Sequence, residues 1–191
     1  MIYGRIVKLL HCYIPKRKSN NRKSRGFTLI ELLVVVFFIA LVTSFGISAF
    51  LNYSRSQAIQ QATNDVSSLL TLAKSRALYQ VKPDDTQFCK LNDPTGLSLD
   101  GYKFVLCSAG CIAPSGTADY EVEAICGGNR VLVQSKKLPP EISFDPGSTP
   151  FFFFPVLSGG VDKGGTITLT GYGSLSKVIT IDVIGNIVLA R

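Results

Sequence analysis

Three patterns of apolar and polar positions follow one another along the chain. Positions 27–51 are almost uniformly apolar, and apolar residues recur every three or four positions over 55–80. Beyond Leu97 the period changes to two. A long apolar run predicts a membrane-spanning helix; the three-to-four period predicts an amphipathic helix, and the period of two predicts strands. The sequence therefore predicts one helix in two halves, followed by a β-rich part.

The amphipathic half of the helix carries one apolar stripe. No proline interrupts the chain between Phe27 and Pro83, so both halves can form one continuous helix. A stripe of this kind predicts that residues 55–80 pack against a folded domain. Its apolar members are Ile59, Ala62, Val66, Leu69, Leu70, Ala73 and Ala77.

The chain from residue 95 onward predicts seven or eight short strands. Gly127-Gly128-Asn129 stands between two alternating segments and predicts a β-hairpin turn. One helix followed by many strands predicts an α+β fold, with an antiparallel sheet packed on the amphipathic half-helix. The strand segments are 97–107, 120–125, 130–135, 141–144, 151–157, 166–170, 177–183 and 187–190.

Four consecutive phenylalanines occupy Phe151–Phe154. Alternate side chains of a strand face opposite sides, so all four cannot point into one core. One pair is therefore predicted in the core. The other pair is covered by the helix, by a loop or by a neighbouring subunit.

The distribution of charge changes the meaning of the formal net charge of +7. Eight of the 20 Lys and Arg residues precede Phe27, and no Asp or Glu lies in that segment. The rest of the chain contains 12 basic and 13 acidic residues. Residues 27–191 are therefore close to neutral. Basic residues directly before an apolar helix predict a cytoplasmic N-terminus and an exported C-terminal part. The basic pI accordingly gives no support for nucleic-acid binding.

Glu31 is the only charged residue between Arg25 and Arg55. A carboxylate at the bilayer centre costs about 2.5–3.5 kcal/mol. The many Leu, Ile, Val and Phe residues of positions 32–51 each favour insertion by about 0.3–0.6 kcal/mol, so insertion wins. A charge retained in such a segment predicts a functional site.

The segment Gly26–Glu31 (GFTLIE), after a Lys- and Arg-rich leader, resembles the class III signal of type IV pilins and type II secretion pseudopilins. The resemblance implies cleavage between Gly26 and Phe27 by a prepilin peptidase, and N-methylation of Phe27. It also implies that Glu31 is an assembly contact for the Phe27 ammonium of a neighbouring subunit. Further implied partners are other pilin or pseudopilin subunits, the inner-membrane assembly platform and the lipid bilayer.

The resulting organisation is a cleaved leader (1–26), a transmembrane and assembly helix (27–54) and a pilin-like soluble domain (55–191). In that domain the amphipathic helix takes residues 55–80 and the β-rich part residues 95–191. The protein is expected in the inner membrane, single-pass with its domain periplasmic or extracellular, and in a pilus or pseudopilus. An ordinary membrane anchor and a cleaved secretory signal are the alternatives, although the apolar core of a secretory signal is only about 7–15 residues long.

Cysteine counting agrees with cleavage of the leader, which removes Cys12 and leaves an even set. Four cysteines in an exported segment allow two disulfides in three connectivities. Four free thiols and a zinc site remain alternatives. The four cysteines are Cys89, Cys107, Cys111 and Cys126.

The residues expected of an enzyme are missing from the predicted exported part. The only histidine is His11, in the leader, so a catalytic triad or a histidine metal site has no histidine there. Glu121 and Glu123, on alternating strand positions, predict a solvated face. The loop acids Asp84, Asp85 and Asp93 lack the spacing of a calcium loop. The sequence predicts a non-enzymatic subunit without a metal or other cofactor.

The order of the C-terminal strands resembles minor pseudopilins of the GspH/FimT type. That resemblance implies a minor pseudopilin of type II secretion or a minor pilin of a type IV pilus. The alternative is a DNA-binding minor pilin for natural transformation, which in some relatives uses a basic C-terminal tail. Here the tail 186–191 carries Arg191 alone, and electrostatic affinity grows with the number of phosphates neutralised. Nucleic acid is therefore not a predicted partner.

Overall fold

The computed structural model describes residues 26–83, 89 and 97–190, with the side chains of 44–46 excepted. Residues 1–25 of the leader and the loop acids Asp84, Asp85 and Asp93 therefore lie outside the described residues. The Cα positions group the chain into two compact units, Met1–Phe45 and Gly46–Arg191. The boundary predicted between residues 54 and 55 falls within the second unit.

Helix α1, Leu29–Leu78, begins in the first unit with a polar cap. Thr28 Oγ1 accepts a hydrogen bond from the Glu31 N–H at 3.3 Å, which is the geometry of an N-cap residue. Thr28 with Glu31 three positions later is also the sequence of a capping box. The side chains of residues 29–43 are exposed on every side of the helix.

In the second unit, α1 buries the predicted apolar stripe, and all seven stripe residues are 3% exposed or less. Burial of an apolar face supplies most of the stability of a helix in a protein, so the stripe explains why this half is helical. The helix ends at Leu78, and the next two residues form a turn, slightly before the predicted end at Gln80. Lys136 Nζ lies 3.2 Å from Asp65 Oδ1 and adds an ion pair between the β-rich part and the helix.

The first sheet contains four antiparallel strands in the order β3-β2-β1-β5. Gly127 and Gly128 connect β2 to β3 with φ angles of 55° and 80°, which a tight hairpin turn of this kind requires. The predicted hairpin is confirmed. The strands are β1 Leu99–Leu106, β2 Tyr120–Cys126, β3 Asn129–Lys136 and β5 Phe151–Pro155.

The second sheet is also antiparallel and has the order β4-β6-β7-β8. The α+β class is confirmed, and the predicted strands divide between two sheets where the sequence predicted one. The strands are β4 Ile142–Phe144, β6 Gly165–Gly171, β7 Leu175–Ile181 and β8 Ile187–Leu189.

One hydrophobic core joins the helix stripe to both sheets. Leu70 from α1, Phe104 from the first sheet and Ile179 from the second are each fully buried in it. Phe152 and Phe154 are 1% exposed, whereas Phe151 is 47% exposed. The alternation predicted for the four phenylalanines is therefore confirmed, with one pair in the core.

Candidate functional site

The N-terminal end of the described chain presents an accessible peptide bond directly before a helix. Gly26 is exposed, and a Cβ placed on it would meet nothing within 4 Å. Phe27 is 80% exposed, and the helix begins only at Leu29. Exposed, non-helical backbone of this kind is what a protease can bind and cut. Gly26 and Phe27 thus have the accessibility that the predicted cleavage requires.

Glu31 lies in the first turn of α1. The unpaired N–H groups at a helix N-terminus carry partial positive charge, so a carboxylate there stabilises the helix. The hydrogen bond from its own N–H to Thr28 also places Glu31 at the third helical position. Capping accounts for an acid at this position in the isolated chain, and the assembly contact of Glu31 stays a prediction.

The helix that follows Glu31 is long and apolar enough to cross a membrane, judged by its length and composition. Within the most apolar stretch of 18 residues in this helix, no residue is buried. Large side chains on different sides are exposed, including Leu29 at 82%, Val42 at 72% and Phe38 at 60%. An apolar surface around all sides of residues 29–43 requires a partner that is apolar on all sides, either lipid or a bundle of other helices.

The four predicted disulfide cysteines are brought together in two pairs. Cys89 pairs with Cys126 at a Cα–Cα distance of 5.7 Å, and Cys107 pairs with Cys111 at 4.8 Å. Both distances lie within the range that disulfides permit. The structure thus contains one of the three connectivities left open by the sequence.

The Cys107–Cys111 pair also lies beside the carboxylate of Glu121. The two sulfur atoms and a Glu121 oxygen lie within 4.8 Å of one another, a grouping that could otherwise hold a metal ion. A metal ion binds cysteine as the thiolate, which a disulfide does not provide. The oxidised loop therefore offers no metal-binding set at this place.

Glu121 and Glu123 are both fully buried, so the prediction of a solvated strand face was wrong. The loop between β1 and β2 contacts Glu121, and Arg130 contacts Glu123. The N–H groups of Ile112 and Ala113 donate to the Glu121 carboxylate, the second at 3.0 Å. Arg130 Nε donates to Glu123 Oε2 at 2.7 Å, and a terminal guanidinium nitrogen donates to the other oxygen. Each carboxylate thus has its own donors.

The electrostatics of this cluster follow from burial and pairing. Burial raises the pKa of Glu121, and a hydrogen bond with Glu123 raises it further, while the N–H donors of Ile112 and Ala113 lower it in part. The hydrogen bond with Glu123 raises the pKa of Arg130. Hydrogen-bond donors of the protein contact both carboxyl groups, so the arrangement is a buried ion-pair network.

Arg130 was missed by the sequence interpretation. It is the second residue of β3 and pairs with Ile125, on the same side of β2 as Glu123. A basic residue just after a hairpin turn, opposite a strand with two alternating acids, is the signal that could have identified it.

The outward-facing phenylalanines form a second surface feature. Lys103 Nζ lies 4.3 Å from the centroid of the Phe151 ring, a cation–π geometry. A cavity of about 380 Å³ lies beside them. The subunit contact suggested for this pair stays a prediction. The cavity is lined by Thr149, Pro150, Phe151, Phe153, Asp162 and Lys163.

Residues 21–47 match the family described as the prokaryotic N-terminal methylation motif. Two fimbrial proteins of Pseudomonas aeruginosa are 33% identical over 73 residues, which cover 35% of this chain and 47% of theirs. Prepilin peptidase-dependent protein D of Escherichia coli K12 is 54% identical over 37 residues, 19% of this chain and 25% of that protein. The chain thus spans about half or less of the length of these relatives. No solved structure matches the chain.

The methylation motif and the similarity to these proteins support a place in the type IV pilin and pseudopilin family. The matched segment includes Gly26, Phe27 and Glu31. An apolar N-terminal helix followed by an antiparallel β-sheet domain is the fold that this family implies.

Proposed function

We propose that the chain is a prepilin-like structural subunit, a minor pseudopilin of a type II secretion system or a minor pilin of a type IV pilus. The observation that carries the proposal is the exposed Gly26–Phe27 bond, placed directly before a capped helix whose first half is apolar on every side. A compact α+β domain continues from the same helix. These features match an anchor that first dissolves in lipid and then packs among like helices.

Processing would begin with the chain in the inner membrane. The basic leader stays on the cytoplasmic side, where Lys and Arg are retained and meet anionic headgroups. A prepilin peptidase then cleaves after Gly26 and frees the amine of Phe27 for methylation. The domain lies on the other side of the membrane, where disulfides such as Cys89–Cys126 form and persist.

Assembly would move the helix from lipid into a bundle of neighbouring helices, driven by the inner-membrane assembly platform. In that bundle the Glu31 carboxylate would meet the Phe27 ammonium of a neighbouring subunit. A buried charge without a partner is strongly destabilising, so each subunit would favour the position at which its neighbour supplies the opposite charge. Glu31 would thereby set the register of subunits.

Cleavage tests the proposal directly. The full chain is co-expressed with a prepilin peptidase, and the N-terminus of the membrane fraction is determined by mass spectrometry. The wild type should begin at N-methylated Phe27. Gly26→Val should remain uncut, because a branched side chain replaces the hydrogen atom at the cleaved residue. Gly4→Val, a matched change within the leader, should be processed normally. A wild-type chain that keeps its leader would contradict the proposal.

A further inference from the structure

The two disulfides differ in accessibility and in the length of chain that they close. Cys89 and Cys126 are fully buried and lie 37 residues apart. Cys107 and Cys111 are partly exposed and lie only four residues apart. A thiol reductant must reach a sulfur atom to attack it. The short bridge between Cys107 and Cys111 is therefore the one open to exchange.

The ring closed by this short bridge carries contacts that cover the buried acids. The Gly110 carbonyl, inside the ring, accepts a hydrogen bond from Arg130 at 2.8 Å. Ile112 and Ala113, directly after the ring, donate their N–H groups to Glu121. The bridge thus holds three backbone groups at the positions where they satisfy the cluster.

Both ends of the loop are fixed independently of the bridge. The Cys107 N–H donates to the Asp119 carbonyl at 2.9 Å, and Lys137 Nζ donates to the Gly116 carbonyl at 3.0 Å. Between these anchors, residues 108–115 are exposed except for Cys111 and Ala113. Ala113 is 9% exposed and fits the loop against the sheet. The segment can therefore lift between fixed ends without unfolding β1 or β2.

Burial of the Glu121 carboxyl group beneath the closed loop costs free energy. This buried carboxyl group is opposed by the neighbouring Glu123, and the two N–H donors of the loop offset that cost only while the loop is closed. Among the described residues, Arg130 is the cation within ion-pair distance of both acids. Its stronger contacts go to Glu123. Opening would let water reach the Glu121 carboxylate.

We propose that the Cys107–Cys111 disulfide is a redox-sensitive clasp, which holds residues 108–115 closed over Glu121 and against the Arg130 that pairs with Glu123, and releases them when it is reduced. A dithiol reductant supplies the two electrons. Its thiolate attacks one sulfur to form a mixed disulfide, and its second thiol resolves that intermediate. The products are two cysteine thiols and the oxidised reductant. The open form presents both acids at the outer face of the first sheet.

The test uses the full chain in detergent micelles, titrated with dithiothreitol. Free thiols are trapped by alkylation and located by mass spectrometry, and hydrogen exchange of the loop amides is followed in the same samples. Cys107 and Cys111 should be alkylated before Cys89 and Cys126. Amide exchange at Ile112 and Ala113 should then rise at least tenfold, while the amides of β6 and β7 stay protected over the time in which the loop amides exchange.

A paired variant separates opening of the loop from loss of the fold. Cys107→Ser/Cys111→Ser should show the same fast loop exchange without reductant, whereas Cys89→Ser/Cys126→Ser should keep the loop protected. Unchanged exchange at Ile112 and Ala113 after reduction would overturn the proposal. Reduction of the buried bridge first, or loss of protection in β6 and β7 together with the loop, would overturn it equally.

Discussion

Arg130 grips the carboxylate of Glu123 with two donors, and the Glu123 side chain has no exposed surface. The Arg130 side chain is 41% exposed, so a partly exposed cation pairs with a buried carboxylate. A carboxylate removed from water must be paired or neutralised. Arg130 on β3 therefore allows β2 to carry the buried acid Glu123.

Removal of this cation should destabilise the domain. Arg130→Ala leaves the Glu123 carboxylate buried without its partner, and we expect a loss of about 2–3 kcal/mol in the free energy of unfolding. The partial exposure of the Arg130 side chain keeps this loss below the cost of breaking a fully buried pair. Denaturant unfolding measures the change. Lys136→Ala, which removes the partly exposed pair with Asp65, whose carboxylate is itself 45% exposed, should cost less than about 1 kcal/mol. Equal effects would contradict the assignment.

Glu121 should make stability depend on pH. Its pKa in the native state is raised above the ordinary value of 4.5, so the folded chain keeps a proton that the unfolded chain has lost. The stability that this retained proton contributes is complete when the pH is below the ordinary pKa, and it disappears as the pH rises through the raised pKa. Glu121→Gln should therefore gain stability relative to the wild type as the pH rises above about 4.5. A difference that stays constant with pH, measured by urea unfolding, would refute this.

The two disulfides should contribute unequally to stability. In the loop-entropy description, a bridge of 37 residues separation stabilises by about 4 kcal/mol and one of four by about 2 kcal/mol. Thermal unfolding of Cys89→Ser/Cys126→Ser and of Cys107→Ser/Cys111→Ser compares them. The first variant should lose more stability. The reverse order would show that the short bridge supports the whole domain.

The apolar stripe of α1 can be tested with neighbouring residues. Leu70 is fully buried in the core, and Leu70→Ala should cost about 2–5 kcal/mol because it leaves a cavity. Thr71 is exposed on the other side of the same turn, and Thr71→Ala should change stability by less than about 0.5 kcal/mol. Chemical denaturation of both variants measures the two changes in stability. A small effect at Leu70 would contradict the packing.

Much of the fold could be predicted because local patterns determine it. The spacing of Ile59, Val66 and Leu70 defines one helix face, and the Gly127-Gly128 pair permits the left-handed turn of the hairpin. The alternation in Phe151–Phe154 follows from strand geometry alone. In each case the determining residues lie close together in the sequence, so no knowledge of tertiary structure is needed.

The division into two sheets and the buried acids required longer-range information. β1 pairs with β5 and β4 with β6, and nothing within one strand specifies a distant partner. The alternation of Glu121 and Glu123 correctly separates them from the core face. It does not reveal that a loop closed by Cys107–Cys111 contacts Glu121 and the Arg130 that pairs with Glu123. These contacts turned a predicted solvated surface into a buried network.

Glu31→Gln tests the central claim most directly, because it removes the charge but keeps the shape of the side chain. The variant and the wild type are expressed in cells that make the complete filament machinery. The processed chain is quantified in membranes and in sheared filaments. We predict normal cleavage after Gly26, normal amounts in the membrane and at least a tenfold loss from filaments, with Glu31→Asp less affected. Wild-type incorporation of Glu31→Gln would contradict assembly through this carboxylate.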